Sequence, residues 1–269
     1  MDTNFTMRWR NGKAIFQVRE NCFNPRIHDI APIDVKTAKK FIVDSHYSKS
    51  FPASRRRFGL FRRGNLIGAA IFSNPMSDKV LTNYFGGRAT ESIELGRFVI
   101  SDVADDFNSE SWFFAQCRRE LRREGFRGIV SFCDDLRRTN AAGDVIFTGH
   151  LGVFLGASNG VYTGRSDRTS IRLLPDGTVF SKRAISKIRN SEQGHQYASK
   201  ILVSHGADEP PADETERKVW LAVWLDKLTR KVRHPGNHRY LFGLQKSIRL
   251  PKSLPYPKIK FNQEQLSLF

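Results

Sequence analysis

Cysteine, long apolar runs and acidic residues are all scarce in this chain, and each shortage removes a class of protein. The three cysteines among 269 residues, Cys22, Cys117 and Cys133, are odd in number and never closely spaced. That excludes a disulfide framework and the usual zinc spacings, and leaves reduced, buried thiols as the expectation. No apolar stretch approaches the ~20 residues that cross a bilayer. No signal peptide opens the chain, so the expectation is a soluble intracellular protein without a membrane partner. Internal repeats and low-complexity blocks are missing too.

What is present in excess is positive charge. Lys+Arg number 44 against 27 Asp+Glu, a formal net charge of +17, with a pI of about 10.1. Such a field gathers polyanions and gives salt-sensitive affinity for a phosphate backbone. The excess is clustered. Arg55, Arg56, Arg57, Arg62 and Arg63 flank one strand pair, and Arg118 and Arg122 ride a helix with Arg119, Arg123 and Arg127. A third group, from Lys227 to Lys246, includes Lys231 and Arg239. One basic helix face is an ordinary solvated surface. Three clusters on a chain of this charge point to nucleic acid.

The hydrophobic pattern alternates strand and helix. Ala14–Val18 reads as a strand. A helix follows Pro32-Ile33-Asp34, with Val35, Ala38, Phe41 and Ile42 at helical spacing, and ends near Ser45–Ser48. Residues 57–61 and 66–72, joined at Arg63-Gly64-Asn65, form a hairpin. Ile93–Ile100 is another strand. Asn108 or Ser109 caps a helix with Phe113, Cys117 and Leu121 as its buried stripe, and Gly128–Cys133 reads as a buried parallel strand. A short helix and a strand at Gly160-Val161-Tyr162 follow, then a hairpin around Leu174–Gly177. From Lys182 to Pro211 the pattern weakens into polar, turn-prone sequence. Asp213–Val232 is expected as one helix burying Val219, Trp220, Val223, Trp224 and Leu228, followed by an extended strap.

This order of elements resembles the GNAT N-acyltransferase fold: α/β, with a mixed, mainly antiparallel central sheet and here a C-terminal helix-plus-strap extension. The motifs narrow the resemblance. His46-Tyr47-Ser48, Glu94–Ile100, Asn108–Ser111, Ser131–Asp134, Gly149–Gly152 and Tyr162–Gly164 look like successive motifs of the phage Mom family, and His238–Tyr240 with Leu254–Pro257 fits its C-terminal strap. The resemblance implies an enzyme that adds a carbamoylmethyl group to adenine N6 in phage DNA, shielding it from restriction in the bacterial host cytoplasm. Two other readings stay open: a non-catalytic DNA-binding accessory protein, and an acyltransferase acting on tRNA or protein amines. The expected layout is a catalytic core at 1–180, a basic helical and strap extension at 181–258, and a flexible tail at 259–269.

The candidate catalytic residues are His46, Tyr47, Arg97, Ser109, Ser111, Asp134 and Tyr162. His46 and Tyr47, at a helix end, offer a base or metal ligand and a proton donor or stacking ring. A capping histidine would look the same. Arg97, in an apolar strand, needs an anion: Glu94, Asp134 or a substrate group. Ser109 and Ser111 lie at a helix N-terminus, where free N–H groups cradle anions and plain capping is equally served. Asp134, at the carboxyl end of a buried strand, is the favoured acid. Phe51, Tyr84 and Phe85 are candidates for stacking on an extruded base.

The chain departs from these relatives at two places. The loop that holds the pyrophosphate of acetyl-CoA in GNAT enzymes is here 101–111, without glycine and with several acids, which speaks against acetyl-CoA. Iron is associated with the Mom family, and His46, Tyr47 and Asp134 are its candidate ligands. After the Gly-His-x-Gly motif, Val153–Ala157 lacks the phenol and amide expected there, so either their role passes to Tyr162 or Tyr47 or the chemistry here differs.

The closing stretch Gln265-Leu266-Ser267-Leu268-Phe269 is similar to the short peptide by which bacterial replication and repair proteins bind the DNA sliding clamp. Gln265 would orient the peptide, and Leu266, Leu268 and Phe269 would supply the apolar anchors. A frayed terminus is the plain alternative. A tail that orders on binding implies modest affinity, roughly micromolar.

Overall fold

A computed structural model describes residues 5–10, 13–18, 23–46, 48, 50–101 and 108–258, the first two segments by backbone alone. These residues divide into two compact units. The first comprises 1–134, 150–165 and 237–269, and the second 135–149 and 166–236. The division is discontinuous in sequence. Among the described residues no helix is long and apolar enough to cross a membrane.

In the first unit, β1 (Phe5–Arg10) pairs with β2 (Lys13–Val18); only the second of these was expected. After β3 (His28–Pro32), Asp34 starts α1 (Val35–Ser45) by accepting the Thr37 amide at 2.9 Å. Ala38 and Ile42 bury against Ala69 and Ile71, while Val35 faces water. β4 (Ser54–Arg62) and β5 (Asn65–Ser73) form the expected hairpin. Its turn residues Arg63 and Gly64 both have positive φ, 50° and 81°, as a two-residue turn between twisted strands requires. α2 (Lys79–Phe85), β6 (Ile93–Ile100), α3 (Ser109–Arg123), β7 (Gly128–Cys133) and the short α4 (Val153–Ala157) follow. Phe113, Cys117 and Leu121 are fully buried, as their spacing requires.

The central sheet has seven strands. Its order is β10 (Val161–Arg165), β14 (His238–Gly243), β7, β6, β5, β4, β3. All pairs are antiparallel except β6–β7. One correction concerns the strand next to its β10 edge. His238–Gly243, expected in an extended strap, is the strand between β10 and β7. Tyr240, Leu241 and Phe242 are all buried, so both faces of this strand are covered and alternation, the usual strand signal, is missing. Residues 251–258 carry no regular element and do form a strap. Gly128 lies under Phe85, where a Cβ would approach Cδ1 to 2.1 Å.

The second unit holds the hairpin β8 (Arg138–Thr139) and β9 (Val145–Phe147), a sheet ordered β12 (Val179–Phe180), β11 (Thr169–Leu173), β13 (Arg230–His234), and three helices. Two of them, α5 (Lys182–Arg189) and α6 (His195–Val203), replace the expected polar stretch. Each buries only a few side chains, Ile188 in one and Ala198 and Leu202 in the other, too short a stripe to read from periodicity. α7 runs Glu214–Leu228, and Arg230–His234 is strand rather than helix. Its buried face is Arg217, Trp220, Leu221 and Leu225. Val219 and Val223, expected inside, are 62% and 42% exposed.

Candidate active site

The site grows from an irregularity in β6. Arg97 pairs with Ile71 and Leu95 with Phe72, which leaves Gly96 without a partner. A Cβ there would lie 2.6 Å from Ser73 Oγ, so any larger residue would have to push that hydroxyl aside. In a regular strand residues 94 and 97 face opposite sides; the extra residue puts both on one face. The parallel pairing of β6 and β7 ends near the same point, after Ile93–Ile129, Glu94–Val130 and Leu95–Ser131. Beyond it β6 runs on to Ile100 and β7 to Cys133 with no further pairing between them, so the two strands part.

Three ionisable groups meet at this irregularity. Glu94 is half-buried, and burial pushes its carboxyl up to about 7, with Arg97 pulling the other way. Arg97 donates to Ser50 O at 3.0 Å, Ser50 Oγ at 2.7 Å and its neighbour Gly96 O at 2.6 Å, which ties β6 to the segment after α1. His46 caps α1 with its backbone N–H on Ile42 O, and its ring is buried. Burial first, then Arg97 and His150, holds the imidazole down at about 3. The neutral ring accepts the Ser48 amide at Nδ1 (3.1 Å), with Ser48 Oγ 2.9 Å from the same nitrogen. Its proton therefore sits on Nε2 and the ring acts as a hydrogen-bond donor.

Asp134 joins through the backbone. The His150 amide donates to Asp134 O at 2.8 Å, holding the 150–152 turn at the carboxyl end of β7. Gly152, at φ 70°, comes so close that a Cβ would lie 2.4 Å from Cys133 Sγ. Tyr162 belongs to another cluster. Its hydroxyl is 2.7 Å from His238 Nδ1, and its ring centroid lies 5.3 Å from Tyr240 and 6.4 Å from Tyr256. Tyr240 donates to Leu151 O at 2.6 Å, and burial raises its phenol further above the ordinary range.

Ser109 is buried at the start of α3, its hydroxyl without a partner among the described residues. Asn108 occupies the cap position with φ 67° and makes no side-chain capping bond. No hydrogen bond or ion pair among the described residues links Ser109 or the half-buried Ser111 to His46 or Arg97. Tyr47, the loop 102–107 and the tail residues Gln265, Leu266, Leu268 and Phe269 lie outside the described residues, as does Cys22.

Iron would need nitrogen and oxygen donors that are free to bind it. A neutral imidazole that binds a metal through one nitrogen keeps its proton on the other. His46 has Nδ1 occupied by the Ser48 amide, so in this geometry it does not fit that role. Among the described residues no group of three or more His, Cys, Asp or Glu could hold a metal ion.

The arginines expected on DNA divide. Arg55 holds the carbonyls of Thr90 and Ser92, and Arg56 pairs with Glu124 at 2.5 Å. Arg57 donates to Ile33 O, and Arg118 to Ser158 O while lying over Phe114 and Phe242. Arg239 holds Thr163 and lies over Tyr84. These five brace their own fold. Arg62 is half-buried, whereas Arg63, Arg122 and Lys231 are exposed. Phe85, proposed for stacking on a base, is 2% exposed and is core; Phe51 and Tyr84 pack against buried clusters. Glu94 is the residue that sequence reasoning passed over as a catalytic candidate. A lone acid between Ile93 and Leu95 was its signal.

Comparison with known proteins places these motifs in one family. The profile described as the Mom protein family matches residues 28–262. No curated protein matches. Among solved structures, the tandem GNAT protein from the clavulanic acid biosynthesis pathway is similar at TM-score 0.42 and 8% identity, over 82% of this chain and 99% of that one. An N-acetyltransferase from Staphylococcus aureus Mu50 follows at 0.36 and 10%, over 81% and 99%. The ribosomal-protein-S18-alanine N-acetyltransferase from Escherichia coli gives 0.34 and 13%, over 56% and 88%. At these scores the likeness carries no argument about activity.

Proposed function

Because the chain belongs to the Mom protein family, we propose that it modifies adenine N6 in duplex phage DNA with a carbamoylmethyl-type group, protecting that DNA from host restriction. The observation that supports this reading is the cluster of Glu94, Arg97 and His46 at the β6 irregularity, where β6 and β7 part. The N6 amine is paired inside the duplex, so the adenine must leave the stack to react. As the amine nitrogen bonds to the carbon of an activated donor, the leaving group departs with its electron pair and the amine loses a proton. Glu94, titrating near neutrality, takes that proton. The Nε2–H of His46 and the guanidinium of Arg97 steady negative charge as it develops on the donor. The exposed Arg63, Arg122 and Lys231 hold backbone phosphates.

The test is direct. Plasmid DNA from bacteria expressing the chain, digested to nucleosides, is expected to contain a carbamoylmethyl adduct of deoxyadenosine by mass spectrometry. Unmodified deoxyadenosine from cells that express the folded protein well would defeat the proposal.

Clamp binding by Gln265–Phe269 is a second, separate part of the reading, supported by the resemblance of those residues to clamp peptides. The full chain is expected to bind a bacterial sliding clamp with roughly micromolar affinity. Removal of the last five residues is expected to weaken this at least about tenfold; equal affinity would mean the match is accidental.

A further inference from the structure

We infer that the cleft at the open end of β14, in the first unit, is a phosphate site, and that its occupant is a backbone phosphate of DNA. The cleft measures about 350 Å³, within the range of ligand clefts. Arg118 of α3 lines one side, Asn159 of the turn between α4 and β10 another, and Phe242, Gly243 and Lys246 a third. Among the described residues its lining holds two cations and no acid.

The opening comes from strand register. β10 begins at Val161, opposite Leu241, so Gly243 lies beyond the last pair of that ladder. Asn159, which would face it, has φ 63° and donates its N–H to Gly156 O instead. On the other side the Leu244 amide donates to Arg127 O at 2.9 Å. Alternate residues of a strand bond to opposite neighbours, so the Gly243 N–H points away from β7 and toward the cleft. It has no acceptor among the described residues.

Arg118 supplies the charge. Its Nη1 donates to Ser158 O at 3.1 Å, and the guanidinium lies 5.5 Å from the centroid of Phe114 and 5.6 Å from that of Phe242. Nε and Nη2 have no protein acceptor, and neither is sealed from solvent. Together they form the guanidinium edge that takes phosphate oxygens in pairs. Burial lowers the pKa of the group, and no carboxylate raises it back. A half-buried cation fixed between rings, with no counter-ion and one edge open, is built to receive an anion.

The surroundings indicate where the phosphate comes from. Lys246 is exposed at the rim, and Arg122, also exposed, follows Arg118 by one helical turn. A row of cations leading into a cleft suits a chain of phosphates better than one small ion. The cleft lies beside Gly128, the first residue of β7, whereas Asp134 follows its last. Strand rise separates the two ends by on the order of 17 Å, roughly five base-pair steps of a duplex. DNA whose adenine reaches the candidate active site would thus be held here as well. The phosphate site stands on the geometry alone; its assignment to DNA rests on the reading of the chain as a DNA-modifying enzyme.

The experiment uses the full chain with two probes, inorganic phosphate and a fluorescent DNA duplex of about 12 base pairs, each over a range of chloride salt. Inorganic phosphate is expected to shift the Gly243 amide resonance saturably. Lys246→Ala is expected to weaken both probes about 3- to 10-fold and to lower the salt slope for DNA by about one. Asn159→Asp keeps a residue that tolerates the left-handed backbone, adds a negative charge to the lining, and should weaken both at least about fivefold. Lys39→Ala, exposed on α1, tests for mere loss of charge and should leave inorganic phosphate unchanged. Arg118→Met should abolish phosphate binding; if it does not melt cooperatively, the two exposed variants decide. A Gly243 amide that ignores phosphate, or phosphate affinity indifferent to both Lys246→Ala and Asn159→Asp, would overturn the site. Variants that weaken inorganic phosphate alone would overturn its assignment to DNA. Intact binding of both probes by a chain that leaves adenine unmodified would count against the enzyme reading and leave this site standing.

Discussion

Glu94→Gln is expected to cut adduct formation at least about 100-fold while making the protein more stable at pH 8. The two effects have one cause. The carboxyl is pushed up to about 7, against 4.5 for the group in water, mainly because burial disfavours its charged form. A group whose folded-state pKa is raised stabilises fully below the unfolded value and loses that contribution as pH rises through the folded value. The protein therefore holds Glu94 without penalty below about pH 4.5, and the cost of charging it accumulates up to about pH 7. Above that the cost is of order 3 kcal/mol. Glutamine keeps the shape and removes the charge, so the melting temperature should rise at pH 8 and stay level at pH 4.5. Parent activity should climb with pH through about 7 as the base ionises. His46, held at about 3, titrates well below that window and stays neutral across it. A pH-independent parent rate, or a Gln variant with wild-type turnover, would remove Glu94 from the mechanism.

The second large effect is expected at Gly152. Its φ of 70° costs an L-residue about 1–2 kcal/mol, and a new Cβ would sit 2.4 Å from Cys133 Sγ and 3.0 Å from Tyr240 Cε2. Overpacking of this kind adds about 1–3 kcal/mol. Gly152→Ala should therefore destabilise by about 2–5 kcal/mol in urea unfolding and should loosen the 150–152 turn that holds His150 to Asp134. Cys133→Ala in the same chain removes the atom struck by the Cβ. The double variant should recover the packing part of the loss and keep the backbone part. Strictly additive single effects would show that the collision is absorbed elsewhere.

Local signals carried most of the first unit. Asp34 ahead of Val35, the Arg63-Gly64 turn and the Phe113, Cys117, Leu121 stripe each encode their element within a few residues, and each forms as read. Elements decided by tertiary partners were harder to see. β14 is covered on both faces and shows no alternation, and α5 and α6 bury too few side chains to set a period. On α7 the amphipathic reading fell one position off, because Arg217 takes an inward place that a hydropathy pattern assigns to water. The candidate site follows the same division. His46 and Arg97 were legible as polar residues at unusual places. Their neighbour Glu94 depends on the Gly96 irregularity, which reverses the facing of residues three apart and is invisible in the strand's own sequence. Charge misled where it was counted without partners. Arg55, Arg56 and Arg57 read as a DNA patch, yet they spend their donors on carbonyls and on Glu124.

The position of β14 has a consequence for synthesis. While the polypeptide is being made, β7 and β10 leave the ribosome about 100 and about 70 residues, respectively, before the strand that belongs between them. Until residue 243 emerges, both present open hydrogen-bonding edges, and such long-range pairing closes slowly. The nascent chain thus passes through a sticky stage that ends only when β14 slides into the gap.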